Sequence, residues 1–179
     1  SRKNDAEEIP WKQPMITGLP DLAQMSLAAL NVLNQNPKGF FVMIEGGAID
    51  WAAHANQSGR VIEETHDFNK AIAAVVDWIE KHSSWDETLV IVTADHETGM
   101  LCGPVEGDQV VTQVKSNGKG NLPEMNWYSK DHTNSLVPLY VRGKGSEIFK
   151  LLADEFDPVR GPFVQNTEIA KSVFLFWGR

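Results

Sequence analysis

Phe40-Phe41-Val42-Met43-Ile44-Glu45-Gly46-Gly47-Ala48-Ile49-Asp50-Trp51-Ala52-Ala53-His54 is the stretch on which the reading of this chain turns. Its first five residues form a continuous apolar run, the pattern of a strand buried on both faces. The run ends at Glu45 and a pair of glycines, which let the backbone turn sharply. Asp50 and His54 stand four apart, so a helical turn starting at Asp50 puts both on one face. Ligand sites of α/β sheets lie where strands end, and Glu45, Asp50 and His54 are all able to hold a metal. Taken alone, the stretch reads equally well as a strand followed by a polar loop with a surface Asp and His.

Upstream, residues 1–19 read as a polar and then irregular lead-in, and Ser1 to Glu8 does not resemble a signal peptide. Pro20 and Asp21 suit the first turn of a helix, which Leu22, Met25, Ala29 and Leu33 continue at helical spacing. Asn36-Pro37-Lys38-Gly39 stops it. Downstream, residues 60–82 predict a helix on the stripe Ile62, Thr65, Phe68, Ile72, Val75, Val76 and Ile79. Leu89 to Val92 predicts a second buried strand. Leu136 to Val141 predicts a third, at an edge or irregularly paired because of Pro138. Residues 166–177 predict a last helix capped by Asn166 or Thr167. Helices alternating with strands predict an α/β domain with a largely parallel sheet. Residues 103–131 break the pattern with Gly103, Pro104, Gly107, Asn117, Gly118, Gly120 and Pro123. They read as an irregular loop insertion near the site, holding at most a short strand at Val110 to Val114.

A second cluster, Thr93-Ala94-Asp95-His96-Glu97-Thr98-Gly99, follows the second predicted strand and presents an oxygen and a nitrogen ligand together, both acceptable to zinc. Read blandly, Asp95 caps a turn and His96 is solvated. A third element, Asp131-His132-Thr133-Asn134-Ser135, opens the last predicted strand. His132 matters only because the first two clusters leave a nitrogen position open.

These motifs resemble those of the alkaline phosphatase family, from about Gly18 to Gly178. The segment from Gly39 to His54 is similar to the family's signature stretch, and Thr93-Ala94-Asp95-His96 to its second. The resemblance implies an α/β/α three-layer sandwich with a largely parallel sheet, of which residues 1–179 are the carboxy-terminal, metal-binding portion. It implies that Asp50, His54 and His132 hold one zinc, that Asp95 and His96 hold a second, and that Glu45 binds magnesium. It implies hydrolysis of phosphate monoesters through a phosphoserine intermediate. The family's nucleophilic serine follows an aspartate, and none of the ten serines here does so. The nucleophile, a bridging carboxylate and a phosphate-gripping arginine are therefore expected from an N-terminal half of the same protein. The resemblance also allows a homodimer and suggests an extracytoplasmic location. The alternatives are a phosphodiesterase, sulfatase or phosphonate hydrolase of related fold, or a metal-binding module without catalysis.

Composition sets the remaining bounds. A formal charge of −8 without a basic patch argues against nucleic acid as a partner. It also repels a phosphate ester, a conflict that bound divalent cations would resolve locally. No apolar run approaches the roughly 20 residues needed to span a bilayer. The single cysteine, Cys102, excludes an internal disulfide and reads as a small buried hydrophobe. Arg60 and Arg142 read as surface or structural residues, His66 as solvated, and His82 as a helix-end cation. Trp51 either walls the site or packs. Gly143-Lys144-Gly145-Ser146 lacks phosphate-loop spacing, and Asn56-Gln57-Ser58 is a weak glycosylation triplet.

Overall fold

The computed structural model describes residues 9–105, 107, 112–176 and 178. The chain runs through two compact units, one of residues 1–78 and 98–133, the other of residues 79–97 and 134–179.

The first unit is helical at its centre. Helix α1 (Leu22–Leu33) starts in a capping box. The Asp21 carboxylate accepts the Gln24 N–H at 2.8 Å, and the Gln24 side chain accepts the Asp21 N–H at 3.1 Å. Helix α2 (Ala48–His54) follows the double glycine. Helix α3 (Ser58–His82) is the long amphipathic helix, and its residues up to Trp78 belong to this unit. The core is built largely of small side chains, Ser26, Ala52, Ala53 and Ala71, with Leu30 and Trp78. Trp78 donates its indole N–H to Asn31 at 2.8 Å, tying α3 to α1. The lead-in is docked here as well. The Trp11 N–H donates to Glu63, whose carboxylate also receives the Arg60 guanidinium. Both charged groups are buried, which makes Arg60 structural. The Trp11 ring stands edge-on to exposed His66.

Residues 40–46 depart from expectation, because no strand forms there. Phe41 is 60% and Met43 81% exposed, so the run is not buried on both faces. An apolar run becomes a strand only where a neighbour completes its ladder, and periodicity does not report neighbours. Gly46 and Gly47 also work differently from expectation, since neither adopts a positive φ. A Cβ on Gly46 would stand 2.9 Å from the Phe68 ring, so the turn needs this glycine for close packing on α3.

Among the described residues of the stretch 103–131 and its flanks, more ladder pairing forms than the composition suggests. Strands β2 (Glu97–Thr98) and β3 (Leu101–Cys102) lead into it, and β4 (Asn126–Trp127) and β5 (His132–Thr133) lead out. β3 pairs antiparallel with β4, placing Cys102 opposite Asn126, and β2 pairs with β5. Lys115 and Glu124 form a further antiparallel bridge. Cys102 is half-buried in its ladder. Of the short strand expected at Val110 to Val114, Val110 and Val111 lie outside the described residues, and residues 112–114 form none.

The second unit contains β1 (Leu89–Val92) and β6 (Tyr140–Gly143), paired antiparallel with Ile91 opposite Val141. A largely parallel sheet is thus not what the described strands form. The third strand starts four residues later than expected. Pro138 has no N–H to offer a ladder, and its carbonyl instead accepts the Thr93 hydroxyl at 3.0 Å. Arg142 lies 3.8 Å over the Trp85 ring, with Glu80 at 3.7 Å, which makes it a structural residue. Helix α4 (Ile148–Leu152), the hairpin of β7 (Glu155–Asp157) and β8 (Gly161–Phe163), and helix α5 (Asn166–Phe176) complete the unit. In the hairpin turn Asp157 accepts the N–H groups of Arg160 and Val159, which hold its carboxyl below the usual aspartate value. α5 begins at Asn166, so the first of the two expected caps lies inside the helix. Glu168 reaches back to the Gln165 N–H at 2.9 Å, satisfying one of the free amides of the first turn. No helix among the described residues is long and apolar enough to cross a membrane.

Candidate metal centre

The spacing of Asp50 and His54 has the consequence expected of it. α2 carries both on one face, and the carboxylate oxygen Oδ1 lies 3.5 Å from the Nε2 atom of His54. His132 arrives from β5 and closes the group. Its Nε2 is 3.4 Å from the same Asp50 oxygen and 2.9 Å from Nε2 of His54. Among the described residues this is the one cluster of three His, Cys or carboxylate donors gathered within 4.8 Å.

The donor set can be tested against a metal. Two ligands about 2.0–2.1 Å from a tetrahedral zinc stand about 3.3–3.4 Å apart. Two of the three separations match, and the imidazoles need to spread by only about 0.4 Å to complete the set. The protonation pattern fits too. Nδ1 of His54 contacts the Lys130 carbonyl oxygen, which can only accept, so the ring's hydrogen is on Nδ1. In the neutral ring Nε2 then offers a lone pair into the cluster. A ligating histidine commonly donates its second ring N–H to a backbone carbonyl in this way. The residues present fit a zinc ion.

Several groups that hold this arrangement were not legible as functional from residue types. Lys130 acts through its main chain. Thr98 donates its hydroxyl to Oδ1 of Asp50 at 2.6 Å. Gly99, with φ near +88°, forms the hub of the loop that delivers His132. It donates its N–H to the Asp131 carbonyl at 3.0 Å and accepts those of Tyr128 and Ser129 at 3.2 and 3.0 Å. Trp127 lies over Gly99 and donates its indole N–H to Ser58 at 2.9 Å, linking the loop to α3. A Cβ on Gly99 would stand 2.5 Å from the Trp127 ring and 3.2 Å from the Ala53 carbonyl. Gly99→Ala is expected to cost about 2–5 kcal/mol, from positive φ and steric overlap together. A thermal unfolding curve checks this, and a melting temperature within a degree of the unsubstituted protein contradicts it.

The other expected ligands are placed as follows. Glu45 is exposed in the first unit, with its carboxylate over Gly47 and outside the three-donor cluster. Asp95 and His96 belong to the second unit, where Oδ2 of Asp95 lies 3.3 Å from Nε2 of His96. The Asp95 side chain is 87% exposed. Trp51 projects from α2 at 75% exposure, so it is not a core residue. In the glycosylation-type triplet, Gln57 and Ser58 are buried and Asn56 adopts a positive φ, an awkward geometry for a modification site.

Comparison with known proteins identifies the family of the chain. The family model for alkaline phosphatase matches residues 2–155. Alkaline phosphatase 4 of Bacillus subtilis is 48% identical over 195 aligned positions, covering 77% of this chain and 42% of that protein. Alkaline phosphatase of Escherichia coli is 32% identical over 145 positions, covering 78% of this chain and 30% of that protein. The alkaline phosphatase of the Antarctic bacterium TAB5 superposes with a TM-score of 0.56 at 31% identity, over 73% of this chain and 36% of that one. The cold-active enzyme of a Shewanella species, 24% identical, shares the fold with a TM-score of 0.65 over 87% of this chain and 50% of that one. The chain thus spans less than half the length of the two curated relatives described. Its fold is of the α/β type found in these enzymes, and the chain belongs to the alkaline phosphatase family.

Proposed function

We propose that this chain is the metal-ligating part of an enzyme that hydrolyses phosphate monoesters. Asp50, His54 and His132 are the protein ligands of one zinc ion, Asp95 and His96 contribute to a second, and Glu45 to a magnesium ion. The observation that carries this reading is the three-donor cluster with the His54 ring held by the Lys130 carbonyl. Magnesium bound in the M3 site of a TAB5 enzyme variant supports the third position.

A divalent cation held there supplies Lewis-acid stabilisation for charge on the phosphoryl oxygens. The chain's own residues bring the donors together and keep them oriented. Asp50 supplies the negative charge that makes the pocket attractive to a cation, and the two imidazoles supply neutral nitrogen donors. The local cations offset the formal charge of −8 that would otherwise repel an anionic ester.

The serine nucleophile, a second-zinc carboxylate and a phosphate-binding arginine come from a part of the protein outside these 179 residues. No Asp-Ser pair occurs here, and Arg60 and Arg142 are engaged structurally. The same missing part supplies the ladder partners of residues 40–44, whose exposed Phe41 and Met43 lie just before the site. With those strands in place the sheet becomes the largely parallel layer of a three-layer sandwich. An extracytoplasmic location accompanies this reading by family likeness.

The test is hydrolysis of an aryl phosphate by the complete protein. Activity is expected to vanish on chelation and return with zinc and magnesium, and His54→Ala should lower kcat/KM by at least about 10³-fold. Activity that survives exhaustive chelation sinks the proposal.

A further inference from the structure

Asp50 is the pivot of the cluster, because one of its oxygens faces both imidazole nitrogens at 3.4 and 3.5 Å. A carboxylate on a helix can rotate about its last bond, which swings that oxygen away. Thr98 opposes this rotation, because its hydroxyl donates to the same oxygen at 2.6 Å. That distance falls in the range of a charge-assisted O–H···O⁻ bond, about twice as strong as a neutral one. The contact is specific in origin. Thr98 is 48 residues from Asp50 and lies at the end of β2, immediately before Gly99. Gly99 fixes where the chain turns, and its hydrogen bonds to residues 128, 129 and 131 set the loop that carries His132. One dipeptide therefore orients the carboxylate ligand through the Thr98 hydroxyl and delivers a histidine ligand through the Gly99 backbone.

We propose that Thr98 is a positioning residue of the metal centre, acting through Asp50, and that its hydroxyl, not its bulk, carries the effect. The inference rests on the reading of Asp50, His54 and His132 as zinc ligands. Partners that orient a metal ligand typically contribute 10–100-fold to affinity. Thr98→Val keeps the β-branched shape suited to a strand and removes the donor. Thr98→Ser keeps the donor and removes the methyl group.

The measurement is zinc affinity of the metal-free protein, read by competition with a chromophoric chelator, alongside melting temperatures without metal. Thr98→Val is expected to weaken zinc binding by about 10–100-fold while Thr98→Ser stays within about threefold. The metal-free melting temperatures of both should stay close to that of the unsubstituted protein. Equal affinity in Thr98→Val and the unsubstituted protein overturns the positioning role alone. Weakening in Thr98→Ser as large as in Thr98→Val assigns the effect to packing and also overturns it. Absence of zinc binding in the unsubstituted protein overturns the metal reading, and this inference with it. Should Thr98→Val fail to fold, Thr98→Ala removes the hydroxyl without adding a second methyl, and the same comparison with Thr98→Ser decides.

Discussion

Asp50→Ala is expected to abolish the tightest zinc site of this chain, whereas Asp95→Ala is expected to leave that site nearly intact. Catalytic zinc sites hold the ion by three protein ligands and keep a fourth position open. Asp50, His54 and His132 make up such a set within one unit, with donor separations of 2.9–3.5 Å. Asp95 and His96 offer two donors, with the Asp95 side chain largely in solvent. Removing Asp50 takes away the sole anionic donor of the cluster and leaves two neutral imidazoles to meet a divalent cation. The loss should exceed the 10–100-fold typical of a residue that only orients a metal ligand, so about 10³-fold is a reasonable scale. Zinc titration of the metal-free protein, watched by chelator competition and by the ring signals of His54 and His132, measures it. If the tightest site survives Asp50→Ala and is lost in Asp95→Ala, the ligands have been assigned to the wrong ions.

The 179-residue chain on its own, supplied with zinc and magnesium, is expected to hydrolyse phosphate monoesters at least about 10⁴-fold more slowly than the complete protein. Groups that act as one catalytic unit lose most of their effect when any member is removed. On the proposed reading, the members to be supplied from outside this chain are the aspartate-linked serine, of which none occurs here, and the family's phosphate-gripping arginine. Arg60 is buried against Glu63, and Arg142 lies on Trp85. Turnover of an aryl phosphate by the isolated chain, compared with the complete protein at equal metal loading, gives the ratio. Near-enzymatic rates that His54→Ala blocks would mean that the nucleophile is among the ten serines after all.

Both expectations draw on features that differ in how visible they were beforehand. The Asp50–His54 pair was readable because a helix has a fixed period, so four residues apart means one face whatever surrounds it. The same locality made α1 legible, although Asp21, expected in its first turn, proves to be its cap, and it made α3 legible to within two residues at its start. A strand has no such independence. Phe40 to Ile44 and Leu89 to Val92 look alike as apolar runs, yet the second has β6 beside it and the first forms no ladder among the described residues.

By itself, then, the sequence determined helices α1, α3 and α5, the pairing of Asp50 with His54 on one helical face, and the types and order of the candidate donors, because each depends on residues only a few positions apart. Tertiary structure alone decided that His132 meets a helix 78 residues away, that the Lys130 carbonyl sets the His54 ring, and that Thr98 holds Asp50. It also decided that Arg60 is buried with Glu63 and that the lead-in residue Trp11 joins them. The reason is physical. A main-chain carbonyl belongs to every residue, and a threonine hydroxyl has no preferred partner along the chain. Which of them comes to rest against Asp50 or His54 depends on where folding brings them, and no local periodicity encodes that.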